Sequence, residues 1–353
     1  MSINSKNMSY RTLRVLIVDD SAFMRLILKD MLSQTSDMEV IGAANNGKEA
    51  VEMTHEMHPD AIIMDMEMGE FDGLYAVQRI MADKPTPILI LSAVGNVNLE
   101  PIFEALKWGA VDYMNKPSRS NSKVRSLDKE LIEKIRQVAG ADPKKSISLP
   151  EGNSVLSETS KNLEYDVIGI GASTGGPAAI EQIITKLPAD LGIPIVICQH
   201  MPHNFIAPFV KRLNNLSSVK VVLGWKGMTL EQGVAIVAPG DANLQVERSS
   251  NGEKSIIGFN KKVFPDYNNP SINAMMSSLA NVYKNKALGI LLTGMGKDGA
   301  AGLKKIFDAG GYTIAQDKGS SVIYGMPKVA IEMGGVSEVL DIKEIGNYLI
   351  RKL

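Results

Sequence analysis

Short runs of β-branched residues alternate with segments of helical spacing twice along this chain of 353 residues. In the first series, five such runs end near residues 18, 43, 64, 91 and 114. This alternation predicts a parallel sheet with helices on both faces. A second series begins near Tyr165, so we expect two α/β domains. Because parallel sheets bind ligands at the carboxyl ends of their strands, residues that follow a strand are the first functional candidates.

The two series are separated by a segment in which Ser, Lys, Gly, Pro and Asn dominate and apolar residues lose their period. Such a composition is typical of an interdomain linker. We therefore expect a first domain at residues 12–135, a linker at 136–163 and a second domain at 164–353.

The composition excludes several classes of protein. With 38 basic and 39 acidic side chains, the chain gives no general reason to expect binding to nucleic acid or an anionic membrane. Its single cysteine, Cys198, excludes a scaffold held by internal disulfides. Neither a signal-peptide core nor a run of about 20 apolar residues is present. We expect a cytoplasmic monomer that does not insert into membranes.

Five chemically matched side chains lie at four strand ends of the first series: Asp19, Asp20, Asp65, Ser92 and Lys116. Clustered carboxylates repel one another unless a cation is bound, and their hard oxygen ligands suit Mg²⁺. A carboxylate can also attack a phosphoryl group while a lysine offsets the developing charge. Polar residues at strand ends are ordinary, and that explanation suffices for any single aspartate. It is a poor explanation for all five groups together.

These residues resemble the receiver domain of bacterial response regulators over about residues 12–135, which implies a flavodoxin-like fold with a five-stranded parallel sheet. The resemblance implies that Asp65 accepts the phosphoryl group and that Asp19, Asp20 and Asp65 bind Mg²⁺. It further implies that Ser92 and Lys116 contact the phosphate.

Two further positions follow from the same resemblance. Tyr113 matches the aromatic switch position of the family, although ordinary packing in the sheet explains a tyrosine there equally well. The family usually has proline where this chain has Gly69, which gives the loop after Asp65 added backbone freedom without removing a chemical group.

In the second series, a strand at residues 166–170 runs into Gly171-Ala-Ser173-Thr-Gly175-Gly-Pro177 and then into a helix. The spacing Gly-x-Ser-x-Gly matches a nucleophile elbow, which exposes a serine hydroxyl on a tight turn between strand and helix. The same glycines could hold a dinucleotide. However, their spacing misses that fingerprint by one residue, and the acidic residue expected after the next strand is missing.

Two residues complete a catalytic triad with Ser173. His200 follows the next strand, where a general base would lie, and Asp298 lies in a glycine-rich turn after a later strand. Capping of the following helix is an alternative role for Asp298. The order Ser, His, Asp differs from that of α/β-hydrolases. We therefore predict a different doubly wound α/β fold with a convergent triad.

Several motifs of this domain together resemble the catalytic domain of the chemotaxis protein-glutamate methylesterases. They are Ile-Gly-Ala-Ser-Thr-Gly-Gly-Pro, Gln-His-Met-Pro, Val-Ala-Pro-Gly, Leu-Leu-Thr-Gly-Met-Gly-x-Asp-Gly and Gly-Met-Pro. The resemblance implies oxyanion contacts near Thr174 and Met295. Asn243 and Asn273 stand where the family commonly has histidine and aspartate, and these departures concern receptor preference more than the type of reaction.

The sequence thus predicts a phosphorylation-activated carboxylic ester hydrolase that uses acyl-enzyme chemistry and needs no cofactor for hydrolysis. The resemblance supplies the substrate, glutamate methyl esters of methyl-accepting chemotaxis receptors. It also supplies a chemotaxis histidine kinase as phosphodonor, and leaves deamidation of receptor glutamines open. Two alternatives remain: a phospho-switched binding module acting outside chemotaxis, and, more distantly, a dinucleotide-dependent oxidoreductase.

Overall fold

A computed structural model of the chain describes residues 11–93, 98–117, 124–145, 164–260 and 270–352. It contains two compact units, the first built on a five-stranded sheet and the second on a seven-stranded sheet. The described residues up to 93, together with those between 112 and 143, supply the first unit.

The first unit confirms the predicted five-stranded parallel sheet, whose order is β2-β1-β3-β4-β5. The strands are β1 (Leu13–Val18), β2 (Met38–Ala44), β3 (Ala61–Asp65), β4 (Ile88–Ser92) and β5 (Asp112–Asn115). The helices of the same region are α1 (Ala22–Ser33), α2 (Gly47–Met57), α3 (Gly73–Asp83), α4 (Glu100–Lys107) and α5 (Val124–Ala139). By its contacts, α4 is counted with the second unit.

Local sequence explains where the first three helices begin. The side chains of Ser21, Asn46 and Asp72 each accept a hydrogen bond from a backbone N–H in the first turn of α1, α2 and α3 respectively. Every residue of β3 and β4 is buried, as expected for strands that helices cover on both faces. The strand ends with their polar residues are therefore held by a rigid core.

The second unit is a doubly wound domain with an all-parallel sheet of order β14-β13-β12-β6-β7-β9-β8. Its strands are β6 (Val167–Ala172), β7 (Ile195–Gln199), β8 (Lys220–Leu223), β9 (Val234–Val237), β12 (Ala287–Leu291), β13 (Tyr312–Gln316) and β14 (Glu338–Leu340). Its helices are α6 (Gly176–Ile184), α7 (His203–Leu216), α8 (Ile272–Tyr283), α9 (Ala300–Asp308), α10 (Met326–Glu332) and α11 (Ile342–Lys352). An antiparallel ribbon, β10 (Asn243–Arg248) with β11 (Ser255–Asn260), packs against α8.

Strand β6 lies at the point where the order of the sheet reverses, because the chain continues on one side of it through β7 and later on the other side through β12. A crevice forms at such a switch point and is the usual binding site of an open parallel sheet. The ribbon and β14 were not predicted from the sequence. Strand β14 has three residues, too few for a recognisable pattern.

The segment between the two series is partly helical. Helix α5 continues to Ala139, so the expected linker at 136–163 starts inside that helix, and a short 3-10 turn follows at Pro143–Lys145. Residues 146–163 lie outside the described residues.

Across the described ranges, no helix combines the length and the hydropathy that a crossing of the bilayer requires.

Candidate active site and acidic site

Three loops at the switch point bring Ser173, His200 and Asp298 together. Ser173 follows β6, His200 follows β7, and Asp298 follows β12, and both β7 and β12 pair with β6. The backbone N–H of His200 also donates to the carbonyl of Ala172 (3.0 Å), which holds the first two loops in register. The site is therefore built by adjacent strands although its members are far apart in sequence.

The three side chains form a continuous hydrogen-bonded chain. Ser173 Oγ lies 3.3 Å from His200 Nδ1, and His200 Nε2 lies 2.8 Å from Asp298 Oδ2. The histidine side chain is 13% exposed and the aspartate side chain 4% exposed. The imidazole is thus partly accessible to solvent, while the carboxylate bonded to it is buried.

Asp298 accepts hydrogen bonds from the N-terminus of a helix other than the one that follows it. Ile272 N–H donates to Oδ2 (2.8 Å), and Asn273 N–H donates to Oδ1 (2.9 Å), so the first turn of α8 faces the carboxylate. Gly299 N–H adds a third backbone donor to Oδ1 (2.9 Å). The geometry does not show the alternative role, capping of α9. The N-cap of α9 is Gly299 rather than Asp298, and this N-cap offers no side-chain hydrogen bond to the helix.

The turn that carries Ser173 depends on close backbone packing. Gly175 has a φ of 75°, a left-handed conformation that suits glycine. Ser173 N–H donates to the carbonyl of Thr293 (3.0 Å), and Gly176 N–H donates to the carbonyl of Ser173 (2.7 Å). A Cβ at Gly294 would lie 2.6 Å from Ser173 Cβ, so the 293–295 loop rests directly against the serine.

The two peptide groups predicted to supply oxyanion contacts are held in a similar way. The carbonyl of Ser173, which belongs to the same peptide as Thr174 N–H, accepts from Gly176 N–H and from Gln199 Nε2. The carbonyl of Gly294, which belongs to the same peptide as Met295 N–H, accepts from the N–H groups of residues 325 and 326 (3.1 and 2.8 Å). In a planar trans peptide the N–H points opposite to the carbonyl. Both N–H directions are therefore defined by these contacts.

The two asparagines that depart from the family pattern lie behind the triad. Asn243 is buried, and its Oδ1 accepts from Ser271 N–H (2.7 Å); Asn273 Oδ1 accepts from Gly302 N–H (2.7 Å). Ser271 in turn caps α8 and donates from its hydroxyl to Asp298 Oδ1 (3.4 Å). Ser271 and Gln199 were not among the residues predicted from the sequence, although a polar residue at the end of an apolar strand such as β7 is a usable signal.

Cys198 is fully buried in β7, as the apolar run predicts. Burial raises the pKa of its thiol well above 9.0, and the charge of Asp298 adds to the shift. The thiol is therefore protonated and inaccessible, which leaves Ser173 as the candidate nucleophile of this site.

In the first unit, the five predicted groups do meet at one edge of the sheet. Lys116 Nζ lies 2.8 Å from Asp19 Oδ2 and 2.7 Å from Asp65 Oδ2. Asp19 and Asp65 are buried, whereas Asp20 is exposed, and one carboxylate oxygen of each lies within 4.8 Å of the others. Lys116 N–H also donates to the carbonyl of Ser92 (2.7 Å), which joins the ends of β4 and β5.

The electrostatics of this acidic site follow from burial and close charges. Burial raises the pKa of Asp65, and the charge of Asp19 adds to the shift, while Lys116 opposes it. Burial alone would lower the pKa of Lys116, but its hydrogen bonds to the two carboxylates outweigh that effect and raise it. The ammonium group of Lys116 therefore offsets part of the negative charge of Asp19 and Asp65.

The residues present fit a magnesium ion and a phosphoryl group. Three carboxylates offer hard oxygen ligands within reach of one ion, which is the donor set that Mg²⁺ prefers. The hydroxyl of Ser92 is buried and has no hydrogen-bond partner among the described residues. An acceptor oxygen of a phosphoryl group is the kind of partner that such a hydroxyl lacks.

The surrounding loop is shaped by two glycines. Gly69 has a φ of 75°, which a proline cannot adopt, so the turn seen here could not carry the proline that the family usually has. A Cβ at Gly73 would lie 2.3 Å from the carbonyl oxygen of Asp65, so glycine allows α3 to start against the strand end. Tyr113 is buried beside Asp112, and burial raises the pKa of its hydroxyl well above 10.0.

Two family models match this sequence. The model described as CheB methylesterase matches residues 168–349, and the model described as response regulator receiver domain matches residues 15–127. The first range contains Ser173, His200 and Asp298, and the second contains the acidic site.

Relatives of similar length and a solved structure are also similar to the chain. A protein of Pyrococcus abyssi named protein-glutamate methylesterase/protein-glutamine glutaminase is 39% identical over 347 residues, which cover 97% of this chain and 94% of the relative. A Thermotoga maritima protein of the same name is 39% identical over 344 residues, covering 97% and 99%. The crystal structure of the Thermotoga maritima CheB methylesterase catalytic domain aligns with a TM-score of 0.52 at 35% identity, covering 54% of this chain and 99% of that one.

Proposed function

Since the chain belongs to the CheB methylesterase family and carries a response regulator receiver domain, we propose that it is a phosphorylation-activated protein-glutamate methylesterase. The proposed receiver spans residues 12–135, and the proposed catalytic domain spans 164–353 after a linker at 136–163. The observation that carries the proposal is the continuous chain of hydrogen bonds from Ser173 through His200 to Asp298.

Acylation starts at the serine. Ser173 Oγ attacks the carbonyl carbon of a glutamate γ-methyl ester while His200 Nδ1 accepts the hydroxyl proton. The imidazolium then donates that proton to the leaving oxygen, and methanol departs. Because Asp298 Oδ2 accepts from Nε2–H, the neutral ring presents its lone pair at Nδ1. This is the reverse of the ring orientation in chymotrypsin-type proteases, with the same division of roles.

The negative charge that develops on the carbonyl oxygen requires donors next to Ser173. We assign them to the N–H groups of Thr174 and Met295, whose peptides flank the serine. Water then attacks the acyl-enzyme with His200 as base, and a glutamate carboxylate is released. A glutamine side chain yields the same acyl-enzyme with ammonia as the leaving group, so the site suits protein-glutamine deamidation as well.

The receiver supplies the control. Asp65 Oδ2, held by Lys116, is the proposed attacking atom for a phosphoryl group, and Ser92 and Lys116 are the proposed contacts of its oxygens. Asp19, Asp20 and Asp65 would hold Mg²⁺, which supplies positive charge against the phosphoryl oxygens. The aromatic switch role of Tyr113 is part of the same proposal.

The partners follow from the chemistry of the two domains. A kinase or a small phosphodonor provides the phosphoryl group, and the ester substrate is a glutamate side chain on a chemoreceptor. More finely, we propose a chemotaxis histidine kinase and methyl-accepting receptors. A binding module without hydrolysis would not need a buried aspartate aligned on a histidine and a serine, which favours the enzyme over that alternative.

Methanol release from a methylated receptor tests chemistry and control together. The full chain should release methanol, and acetyl phosphate with Mg²⁺ should raise the rate. Ser173→Ala should abolish release with and without the phosphodonor, whereas Asp65→Asn should keep the basal rate and lose the stimulation. Unchanged turnover in Ser173→Ala would refute the assigned nucleophile.

A further inference from the structure

The buried amide of Gln199 contacts both loops of the proposed active site. Gln199 ends β7 and is 1% exposed. Its Nε2 donates to the backbone carbonyl of Ser173 (2.9 Å) and to that of His200 (2.8 Å). One side chain thus joins the nucleophile loop to the base loop.

The orientation of this amide is defined by its surroundings. Both neighbours within hydrogen-bond distance are carbonyl oxygens, which only accept, so the NH₂ end must face them. The other end, Oε1, is buried and has no hydrogen-bond partner among the described residues. It lies against Gly176, where a Cβ would come within 2.1 Å of it. An unsatisfied buried carbonyl costs free energy, so an apolar side chain would serve better if the position only required packing.

The contact acts on a peptide group that matters for the reaction. The Ser173 carbonyl and the Thr174 N–H belong to one planar unit, so a bond that fixes the carbonyl also fixes the direction of the N–H. A hydrogen bond to the carbonyl further polarises the N–H and strengthens it as a donor. The peptide of Met295 has the same arrangement, but its carbonyl is held by two backbone N–H groups. Of the two peptides, only the one that carries the Thr174 N–H is held by a side chain, which a mutation can replace.

We infer that Gln199 is a positioning residue that aims the Thr174 N–H at the oxyanion and keeps the serine and histidine loops in register. This inference rests on the function proposed above. Gln199 does not touch the substrate, so its loss should lower kcat and leave KM nearly unchanged.

Three variants of the full chain test the inference with p-nitrophenyl acetate and with methylated receptor. Gln199→Met keeps the volume and removes both hydrogen bonds, and we expect kcat to fall about 10- to 100-fold, less than the loss of a whole oxyanion donor. Thr313→Val is the matched control, because Thr313 is equally buried and forms hydrogen bonds with Ser337 near the amino ends of the strands, away from the triad. It should lose stability and keep its kcat.

Gln199→Glu distinguishes a positioning role of this side chain from a purely structural role. Its carboxylate would face two carbonyl oxygens, whereas its protonated form regains one O–H donor, and burial favours the protonated form. The ratio of its kcat to that of the original enzyme should therefore rise as the pH is lowered from 8 to 6, and taking the ratio removes pH effects that both enzymes share.

A kcat for Gln199→Met within about threefold of the original, or a Gln199→Glu ratio that is flat with pH, would overturn the inference. If Gln199→Met does not fold, the pH dependence of Gln199→Glu decides. Ser173→Ala is assayed beside these variants. Full activity of Ser173→Ala would refute the proposed function, whereas an inactive Ser173→Ala protein means that the Gln199 variants test the positioning role alone.

Discussion

Replacing Asp298 with asparagine changes one atom in a site where both oxygens are already committed as acceptors. Oδ2 accepts from His200 Nε2 and from Ile272 N–H, and Oδ1 accepts from the N–H groups of Asn273 and Gly299. Asparagine must place an NH₂ group at one of these two positions. Either choice sets a donor against a donor, so Asp298→Asn cannot be accommodated without the loss of hydrogen bonds.

The two orientations of the new amide have different consequences. With nitrogen at the Oδ2 position, one backbone donor is left unpaired and His200 must accept at Nε2, which moves its proton to Nδ1 and leaves Ser173 without a base. With nitrogen at the Oδ1 position, two backbone donors are left unpaired but the useful tautomer survives. Each unpaired buried donor costs about 1–3 kcal/mol, so the inactive orientation is favoured by about that amount.

That difference corresponds to a population ratio of roughly 5 to 150 in favour of the inactive orientation. The variant also loses the negative charge that stabilises the imidazolium, and an asparagine at the equivalent place in a serine protease costs about 10⁴ in kcat. We expect kcat for methanol release to fall by about 10³- to 10⁴-fold and the free energy of unfolding to fall by about 1–3 kcal/mol.

The assay is methanol release at saturating methylated receptor, with thermal unfolding of the same preparation. A folded Asp298→Asn protein whose kcat lies within tenfold of the original would contradict the assignment of Asp298 and the tautomer argument together.

Three further outcomes concern the acidic site and the serine loop. Burial raises the pKa of Asp65, so the folded state binds its proton more readily than the unfolded state, and the contribution of this carboxyl to stability falls as the pH rises from its ordinary 3.8 through the raised value. Asp65→Asn should therefore raise the unfolding midpoint in metal-free buffer more at pH 7 than at pH 4. Calorimetry showing the opposite order would contradict this prediction. Ser92→Ala removes a hydroxyl that has no partner among the described residues, so the free energy of unfolding should change by less than about 1 kcal/mol. Phosphorylation of Asp65 by acetyl phosphate should slow. An unchanged phosphorylation rate would argue against a contact between Ser92 and the phosphoryl group. Gly294→Ala places a methyl group 2.6 Å from Ser173 Cβ, so acylation by p-nitrophenyl acetate should fall at least about tenfold, and a normal burst of p-nitrophenol would show that the loop is not tightly packed.

The sequence was sufficient for the parts of the molecule that depend on strand ends. In a parallel sheet all carboxyl ends meet at one edge, so residues that follow strands in sequence must also converge in space. This is why the sequence alone groups Asp19, Asp65 and Lys116, and why it pairs Ser173 with His200.

The support of Asp298 could not be predicted in the same way. Two of its backbone donors come from the start of α8, about 25 residues earlier, whereas the local pattern around Asp298 indicated only an alternative role as a cap of α9. A contact between a side chain and the terminus of a distant helix leaves no periodic trace in the sequence. The ribbon of β10 and β11 was missed for a related reason, since its stability comes from packing on α8.

The amide of Gln199 shows a further limit. Its identity as a polar residue at a strand end is visible in the sequence, but its two acceptors are backbone carbonyls, which every residue carries. Only the fold determines which carbonyls it meets.

The interior position of Cys198 makes this protein convenient for labelling. It is the only sulfhydryl in the chain, and neither alkylating reagents nor maleimide dyes should reach it in the native state. A single cysteine introduced on each domain would then carry the only two reactive sites. Distances between spin labels or dyes could be followed through a cycle of phosphorylation without first replacing a native residue.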